Sequence, residues 1–308
     1  MLVVLSGGTG GAKLIEGLAA AIDPLELTII CNTGDDAVFH GLYVSPDVDT
    51  ITYTLAGLSD SEQGWGIRGD TFVTLEQLRR LGNDAWFHLG DKDLATHITR
   101  TKLLNDGLKL SQVIDRMRRQ LGVQAKILPM SDDRVETRVI TPQGEISFQE
   151  FFVKERWARA VNAVRYDGAE TAHPALGVLE AIHNAEAIII CPSNPITSIG
   201  PILAVPGVRV ALQQTDALVV GVSPIIGSAA ISGPAHKLMI ASGFEASVVG
   251  VAKCYKGFLD TLLMAQEDSP CGSLIEALKI APICTDIRMG GVADKRRLAR
   301  EVLALTKK

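Results

Sequence analysis

Residues 1–20, MLVVLSGGTGGAKLIEGLAA, run a short apolar strand into a glycine cluster and then an amphipathic helix, the layout of a phosphate-binding turn. Two familiar versions of that turn fail at one or two positions. A Walker A loop, G-x-x-x-x-G-K-[ST] counted from Gly7, has Ala12 where the second glycine belongs, then Lys13, then Leu14 where a magnesium-binding hydroxyl is needed. A dinucleotide finger, G-x-G-x-x-G counted from Gly8, reaches Gly10 and then meets Lys13 instead of the last glycine. Working outward, residues 2–5 read as strand, 13–21 as helix and 27–31 as a second strand, a right-handed β-α-β unit with short connections.

Farther along, residues 50–122 turn helical. Apolar residues recur at three- and four-residue spacing over 50–57, 71–81, 94–104 and 111–121, a helical lobe. Over 136–153 the period falls to two. ETRVI, TPQG and EISFQEFFV read as a hairpin, continued by a strand near 161–166, so 125–167 is expected to be an antiparallel insertion. Strands are then expected at 187–191, 217–222, 247–251 and 280–285, with a closing helix over 292–305. No internal repeat, low-complexity tract or proline-rich linker divides the chain. Residues 1–308 therefore read as a single α/β domain: a doubly wound, mostly parallel Rossmann-like sheet with a helical lobe and a small antiparallel β insertion.

Composition narrows the partner. With 308 residues and 47% hydrophobic content the chain can bury a substantial core. A net charge of -5 and 5% aromatic residues argue against nucleic acid and leave a small molecule as the favoured ligand. Five scattered cysteines without a C-x-x-C pair suggest neither a disulfide framework nor a thiolate zinc site, and fit a reducing cytoplasm. The chain enters its first strand without a basic leader, and its most apolar stretch, 217–231, is broken by Ser223, Pro224 and Gly227. Neither signal peptide nor membrane span is expected.

In an open parallel sheet, ligands sit beyond the carboxyl ends of the strands, and four such loops are chemically unusual. SGGTGG follows the first strand and NTGDDAVFHG the second. CPSNPITSIGP, with Ser193, Asn194, Thr197 and Ser198, and VSPIIGSAAISGP follow later ones. Each alone reads equally well as a helix cap or turn; their joint placement points to a shared phosphate-bearing ligand. Carboxylates beside a phosphate require a hard cation, which leads to Mg²⁺ with Asp35, Asp36 and Asp49 as leading ligands. Asp49 reads as well as a cap of a helix beginning near Thr50, and Asp91 or Asp93 as caps of a helix toward Thr99. Lys92 could neutralise a phosphate or face water. His88 and His97, nine residues apart with no partner, argue against zinc. His40 and His97 are candidates for proton transfer, with the base unassigned. Trp65 reads as a platform for a flat ring or as a loop anchor.

The ordered series SGGTGGAKL, NTGDDAVFHGLYVSPDVDT, GWGIRGDTF, LGDKDLATHITR, LPMSDDRVETRV, FQEFFV, CPSNPITSIGPIL and SPIIG resembles the 2-phospho-L-lactate transferase family of deazaflavin coenzyme F-420 biosynthesis, from the first strand to at least Pro234. The resemblance implies a Mg²⁺-dependent reaction. A phospholactyl, phosphoenolpyruvyl or phosphoglyceryl group passes from its guanosine diphosphate conjugate to the ribityl hydroxyl of 7,8-didemethyl-8-hydroxy-5-deazariboflavin (Fo), releasing GMP and forming coenzyme F-420-0 or its dehydro form. It also implies that Gly7, Gly8, Thr9, Gly10 and Gly11, with Ser193, Asn194, Ser198 and Gly200, cradle the guanosine diphosphate part. Asp35, Asp49 and Lys92 take the catalytic roles, and Asp49, Lys92, Trp65 and His97 meet Fo. Ser228 departs from the family's S-P-I-I-G-G form.

Phosphoryl transfer asks mainly for positioning and charge neutralisation, which agrees with the lack of a nucleophilic triad. Asp49 is then the residue expected to orient or deprotonate the attacking hydroxyl, and Lys13 is expected to point away from the ligand. The competing reading is a non-catalytic nucleotide-sugar-binding regulator of the gluconeogenesis and cell-shape factor type. It shares the glycine opening and acidic second loop but requires neither SPDVDT nor LGDKDLATH. The donor acid is open, and so is the assembly, a homodimer being the commonest outcome for such enzymes.

Overall fold

Strand β1, Leu2–Ser6, is buried over its full length because both of its faces are covered. Val3 and Leu5 enter one apolar cluster with Ile30, Ile188 and Ile190. Leu2 and Val4 enter a second with Ile29 and Ile189. Two buried faces leave no polar alternation, so the strand is a continuous apolar run, as parallel sheets require. The computed structural model describes residues 1–60, 64–227, 229–231 and 233–306.

Seven parallel strands form the central sheet, in the order Ala281–Cys284, Thr261–Met264, Leu218–Val222, Ala187–Ile190, β1, β2 (Leu27–Cys31), Lys126–Pro129. The chain leaves β1 toward β2 on one side and later returns to Ala187–Ile190 on the other. The strand order therefore reverses beside β1, and the loops that follow β1 and Ala187–Ile190 open into the same crevice. Helix α1, Gly8–Ala19, packs Leu14, Ile15 and Leu18 on one face of the sheet, together with the closing helix Val292–Thr306. The helical lobe comprises α2 (Pro46–Leu55), α3 (Val73–Arg80), α4 (Asp91–Asn105) and α5 (Leu110–Gln120). A three-stranded antiparallel sheet, Gly144–Ser147 beside Glu136–Thr141 beside Ala163–Asp167, forms the insertion. Among the described residues, no helix is long and apolar enough to cross a membrane.

Four details correct the sequence reading. Helix α1 begins at Gly8 rather than residue 13, so the glycine cluster is itself the first turn of the helix. Lys126–Pro129 belongs to the central sheet, parallel to β2, rather than to the insertion. The run expected as strand at 247–251 is helix Val248–Cys254, capped by Ser247 Oγ accepting from the Gly250 N–H. It is buried nearly all round, which removes the periodicity that would mark it. Thr261–Met264, four buried residues without alternation, is a sheet strand that the sequence reading missed.

Gly17 tests the packing of α1. A Cβ there would stand 2.3 Å from the Lys295 carbonyl oxygen, against the closing helix. Gly17→Ala is expected to lower stability by about 1–3 kcal/mol, although alanine is the better helix former, because the backbone it meets has little room to yield. Chemical denaturation would check this, and an unchanged midpoint would exclude so close a contact.

Candidate active site

The glycine turn is an open helix N-terminus. Gly7 precedes α1 in extended backbone and has no side chain with which to cap the helix, and its first turn carries no acidic residue, although Asp47 accepts from the Gly8 N–H. The N–H groups that follow Gly8 in the first turn are available to an anion. Glycine is required by what stands close by: a Cβ at Gly7 would lie 2.5 Å from Asp47 Oδ2, and one at Gly10 2.5 Å from the Pro192 carbonyl oxygen. The loop after Ala187–Ile190 is locked onto this turn by Ser193, whose hydroxyl donates to the Gly7 carbonyl at 2.7 Å and accepts from the Gly7 N–H at 3.3 Å. Asn194 Oδ1 accepts from the Ile196 N–H, shaping the loop ahead of Ser198.

Behind the turn lies Asn32, fully buried. Its side-chain Oδ1 accepts from the Gly34 N–H at 2.8 Å. Its amide nitrogen donates toward Asp47 Oδ2 at 2.8 Å, Asp35 Oδ2 at 3.1 Å and the Thr197 carbonyl at 3.2 Å. Two carboxylates thus converge on one neutral donor. Burial pushes the Asp47 carboxyl up to about 6, with the hydrogen bonds from Asn32 and Gly8 opposing. Burial and the neighbouring Asp47 raise Asp35 well above the usual carboxylate range. Asp35 Oδ1 is buried without a hydrogen-bond partner.

Asp49 stands in a separate network. Arg100, buried on α4, donates from both terminal nitrogens to the two Asp49 oxygens, NH1 to Oδ2 at 3.0 Å and NH2 to Oδ1. Arg100 NH1 also meets His97 Nδ1 at 3.3 Å. On the other side of the ring, His97 Nε2 lies 3.0 Å from Asp93 Oδ2. Burial and the charges of Asp49 and Asp93 raise the Tyr53 phenol, which donates to Asp93 Oδ1 at 2.6 Å. The chain Tyr53, Asp93, His97, Arg100, Asp49 therefore ties α2 to α4.

The other acidic residues serve the scaffold. Asp36 is held by Ser45 Oγ at 2.7 Å and the Tyr43 hydroxyl at 3.0 Å, away from the cleft wall. Asp91 accepts from the Val73 and Thr74 N–H groups, so it caps α3 rather than its own helix. Asp70 returns the favour to α4, accepting from the N–H groups of Lys92 at 2.7 Å and Asp93 at 3.1 Å. The Lys92 ammonium donates to the Arg68 carbonyl at 3.1 Å and is exposed outside the cleft wall.

A cleft of about 780 Å³ runs from the glycine turn past Asp35, Asp47 and Asp49 to a wall of aromatic rings. Of the expected site residues, Gly7, Gly8, Thr9, Gly10, Ser193, Asn194 and Ser198 line it. So do Asp35, Asp49, Trp65 and His97. Gly11 instead packs against Ser6 and Ser193, and Gly200 against the Tyr166 hydroxyl, which lies 2.1 Å from where its Cβ would be. Lys13 is exposed and off the cleft, as helix spacing implied. His40 sits exposed at a hairpin tip with φ 52°. Ser228 lies outside the described residues.

The sequence reading missed most of the aromatic end. All three tryptophans of the chain, Trp65, Trp86 and Trp157, line this cleft. Phe152 stacks on Trp157 with centroids 5.2 Å apart and on Phe148 at 5.4 Å. These rings arrive because the expected strand EISFQEFFV stops at Ser147 and Glu150–Lys154 coils into a π-helical turn. No local signal announces that turn; the clustering of phenylalanines in SFQEFFV was the available hint.

Residues 2–289 match the family described as 2-phospho-L-lactate transferase CofD. The chain is 45% identical over 308 residues to the 2-phospho-L-lactate transferase of Methanopyrus kandleri, spanning 99% of this chain and 97% of that protein. It is 44% identical over 310 residues to the phosphoenolpyruvate transferase of Streptomyces griseus, spanning 99% and 98%. Among solved structures, a UPF0052 family protein from Bacillus halodurans superposes with a TM-score of 0.65 at 20% identity over 98% of each chain, which shows a shared fold.

Two stability outcomes follow from the buried charges. Because the Asp47 pKa is raised from 3.8 to about 6 in the fold, its ionisation opposes folding, fully above pH 6 and not at all well below 4. Asp47→Asn is expected to stabilise the ligand-free protein at pH 8 by up to about 3 kcal/mol, a gain that fades as pH falls through 6. Arg100→Met strands the buried Asp49 and is expected to lose about 3–5 kcal/mol at pH 7. Thermal melts across pH would check both, and an Asp47→Asn gain that persists at pH 4 would exclude a raised carboxyl.

Proposed function

The chain belongs to the 2-phospho-L-lactate transferase CofD family, a family of transferases, and from that membership and the cleft we propose the reaction in detail. A phosphorylated three-carbon acid is transferred from its guanosine diphosphate conjugate to the terminal ribityl hydroxyl of the deazaflavin Fo, with release of GMP. The observation that carries this reading is the joining, in one cleft, of an anion cradle at one end and an aromatic slot at the other, with carboxylates between them. Such a cleft suits two substrates laid end to end.

The cradle N–H groups of α1 and the Ser193 loop would hold the diphosphate. Magnesium, when bound, supplies charge neutralisation across the phosphate oxygens. Asp35 and Asp47 are the residues that fit it, since both reach Asn32 and Asp35 Oδ1 lacks a partner. Among the described residues there is no group of three or more His, Cys, Asp or Glu that could hold a metal, so phosphate and water would complete the shell. Asp49 faces the cleft with both oxygens fixed by Arg100, and its remaining lone pairs can accept the hydrogen bond of the attacking hydroxyl. The hydroxyl oxygen would form a bond to the phosphorus that carries the three-carbon acid as the bond from that phosphorus to the GMP oxygen breaks, with the hydroxyl proton passing by way of Asp49 to water. Trp65 and the Phe152–Trp157 stack would grip the acceptor ring.

Overall similarity does not choose the acid on the donor, because relatives of both names are matched at 44–45% identity. Incubation of the protein with Fo, Mg²⁺ and each of the three donors is expected to yield GMP and a phosphodiester of Fo with at least one of them. Absence of GMP with all three would overturn the reading. Asp35→Asn is expected to lower kcat by about 100-fold or more while Fo binding, followed by fluorescence, stays within a few fold.

A further inference from the structure

Residues 156 and 157 form a corner of unusual backbone. Arg156 and Trp157 both have φ of 49°, a left-handed conformation that side chains other than glycine seldom adopt, twice in succession. Such strain persists where surrounding contacts impose it. Here the Trp157 N–H donates to the Phe151 carbonyl at 2.8 Å, and the Lys237 ammonium donates to the Trp157 carbonyl at 2.7 Å and the Arg159 carbonyl at 3.1 Å. The corner places both side chains on the aromatic end of the cleft.

The charges around that end are otherwise matched. Lys154, 5.4 Å from the centre of the Trp86 ring, is met by Asp84 at 2.9 Å. Arg159 is paired with Glu155, Glu150 accepts from Ser147, and Lys237 serves the two carbonyls. Arg79 donates to the Ala85 carbonyl at 3.1 Å and lies 3.4 Å from His88 Nε2. Among the described residues of this wall, the Arg156 guanidinium is the cation without a hydrogen-bonded or acidic partner.

We propose that Arg156 makes the slot selective for an anionic ring, binding the acceptor with its ring hydroxyl ionised. The inference rests on the reading of the acceptor as an 8-hydroxy-deazaflavin. A hydroxyl conjugated through a flat ring to carbonyl groups is a vinylogous acid, whose anion is spread over the ring and absorbs at longer wavelength than the neutral form. A guanidinium is suited to it, being planar, permanently charged and able to lie along an aromatic face. Arg156 is exposed on the same cleft that the aromatic rings line, whereas an anion of the donor is provided for at the glycine turn.

The test is an absorbance titration of Fo bound to the protein without donor. Bound to the unaltered protein, the ring is expected to ionise about 1 unit or more below free Fo. Arg156→Gln should abolish that shift and weaken binding about tenfold at pH 8 while leaving it nearly unchanged at pH 5, and Arg156→Lys should restore part of it. Lys237→Met, which frees the corner, should reduce the shift in the same direction. Thermal melts confirm that each variant is folded, and charge-neutral Arg156→Met repeats the measurement should Arg156→Gln unfold. Failure of Fo to bind the unaltered protein would overturn the acceptor assignment itself. Binding with an unshifted ring, an unaltered shift in Arg156→Gln, or loss of donor affinity in place of the shift would overturn the role of Arg156.

Discussion

The site is organised around one buried amide. Asn32 has two N–H hydrogens and three acceptors for them: Asp35, Asp47 and the Thr197 carbonyl. Those acceptors come from the loop after β2, the first turn of α2, and the loop that follows Ala187–Ile190. A lysine there would neutralise the carboxylates outright, and an aliphatic residue would leave them to repel each other unsolvated. The amide does neither. It orients two oxygens without supplying a counter-charge, and this is the pair to which the proposed reaction assigns Mg²⁺. The close approach of Asp47 to Gly7 in turn excludes any side chain from the head of α1.

Asp49, two residues beyond Asp47 on the same helix, has the opposite environment. Arg100 engages both of its oxygens, and His97, Asp93 and Tyr53 extend the contact across to α4. One helical turn thus presents a carboxylate without a counter-charge and a carboxylate with one. The difference comes wholly from the elements packed against it. Reciprocal capping, with Asp70 on α4 and Asp91 on α3, holds α4 in place so that Arg100 can reach Asp49. Gly90 is required for it, since a Cβ there would fall 2.1 Å from Asp70 Oδ2. The GDKD sequence therefore serves the helical lobe through its aspartates, while Lys92 faces solvent.

The strand and helix pattern of the first half was legible because its periods are strong: 3.6 in the lobe and 2 in the insertion. Reading failed where burial is complete. A helix such as Val248–Cys254 and a strand such as Thr261–Met264, buried on nearly every side, carry little period to distinguish them. The anion cradle was legible from glycine spacing and its place after the first strand, while the reversal of strand order beside it came from the structure. The aromatic slot was not, because its rings come from residues 65, 86–87, 148–157 and only tertiary packing sets them face to face.

By itself, then, the sequence determined the doubly wound class, the loops that meet at the strand ends, and the family, since glycine clusters, apolar runs and ordered motifs are local properties of the chain. Tertiary structure decided which carboxylates stay free and which are neutralised. Asp35 and Asp47 share a neutral amide, Asp36 is taken by Ser45 and Tyr43, and Asp49 by Arg100, although all four aspartates lie within fifteen residues. A carboxylate's charge is set by the groups within a few ångströms of it, and for each of these that group comes from elsewhere in the fold or from across a turn. Spacing along the chain records none of those distances.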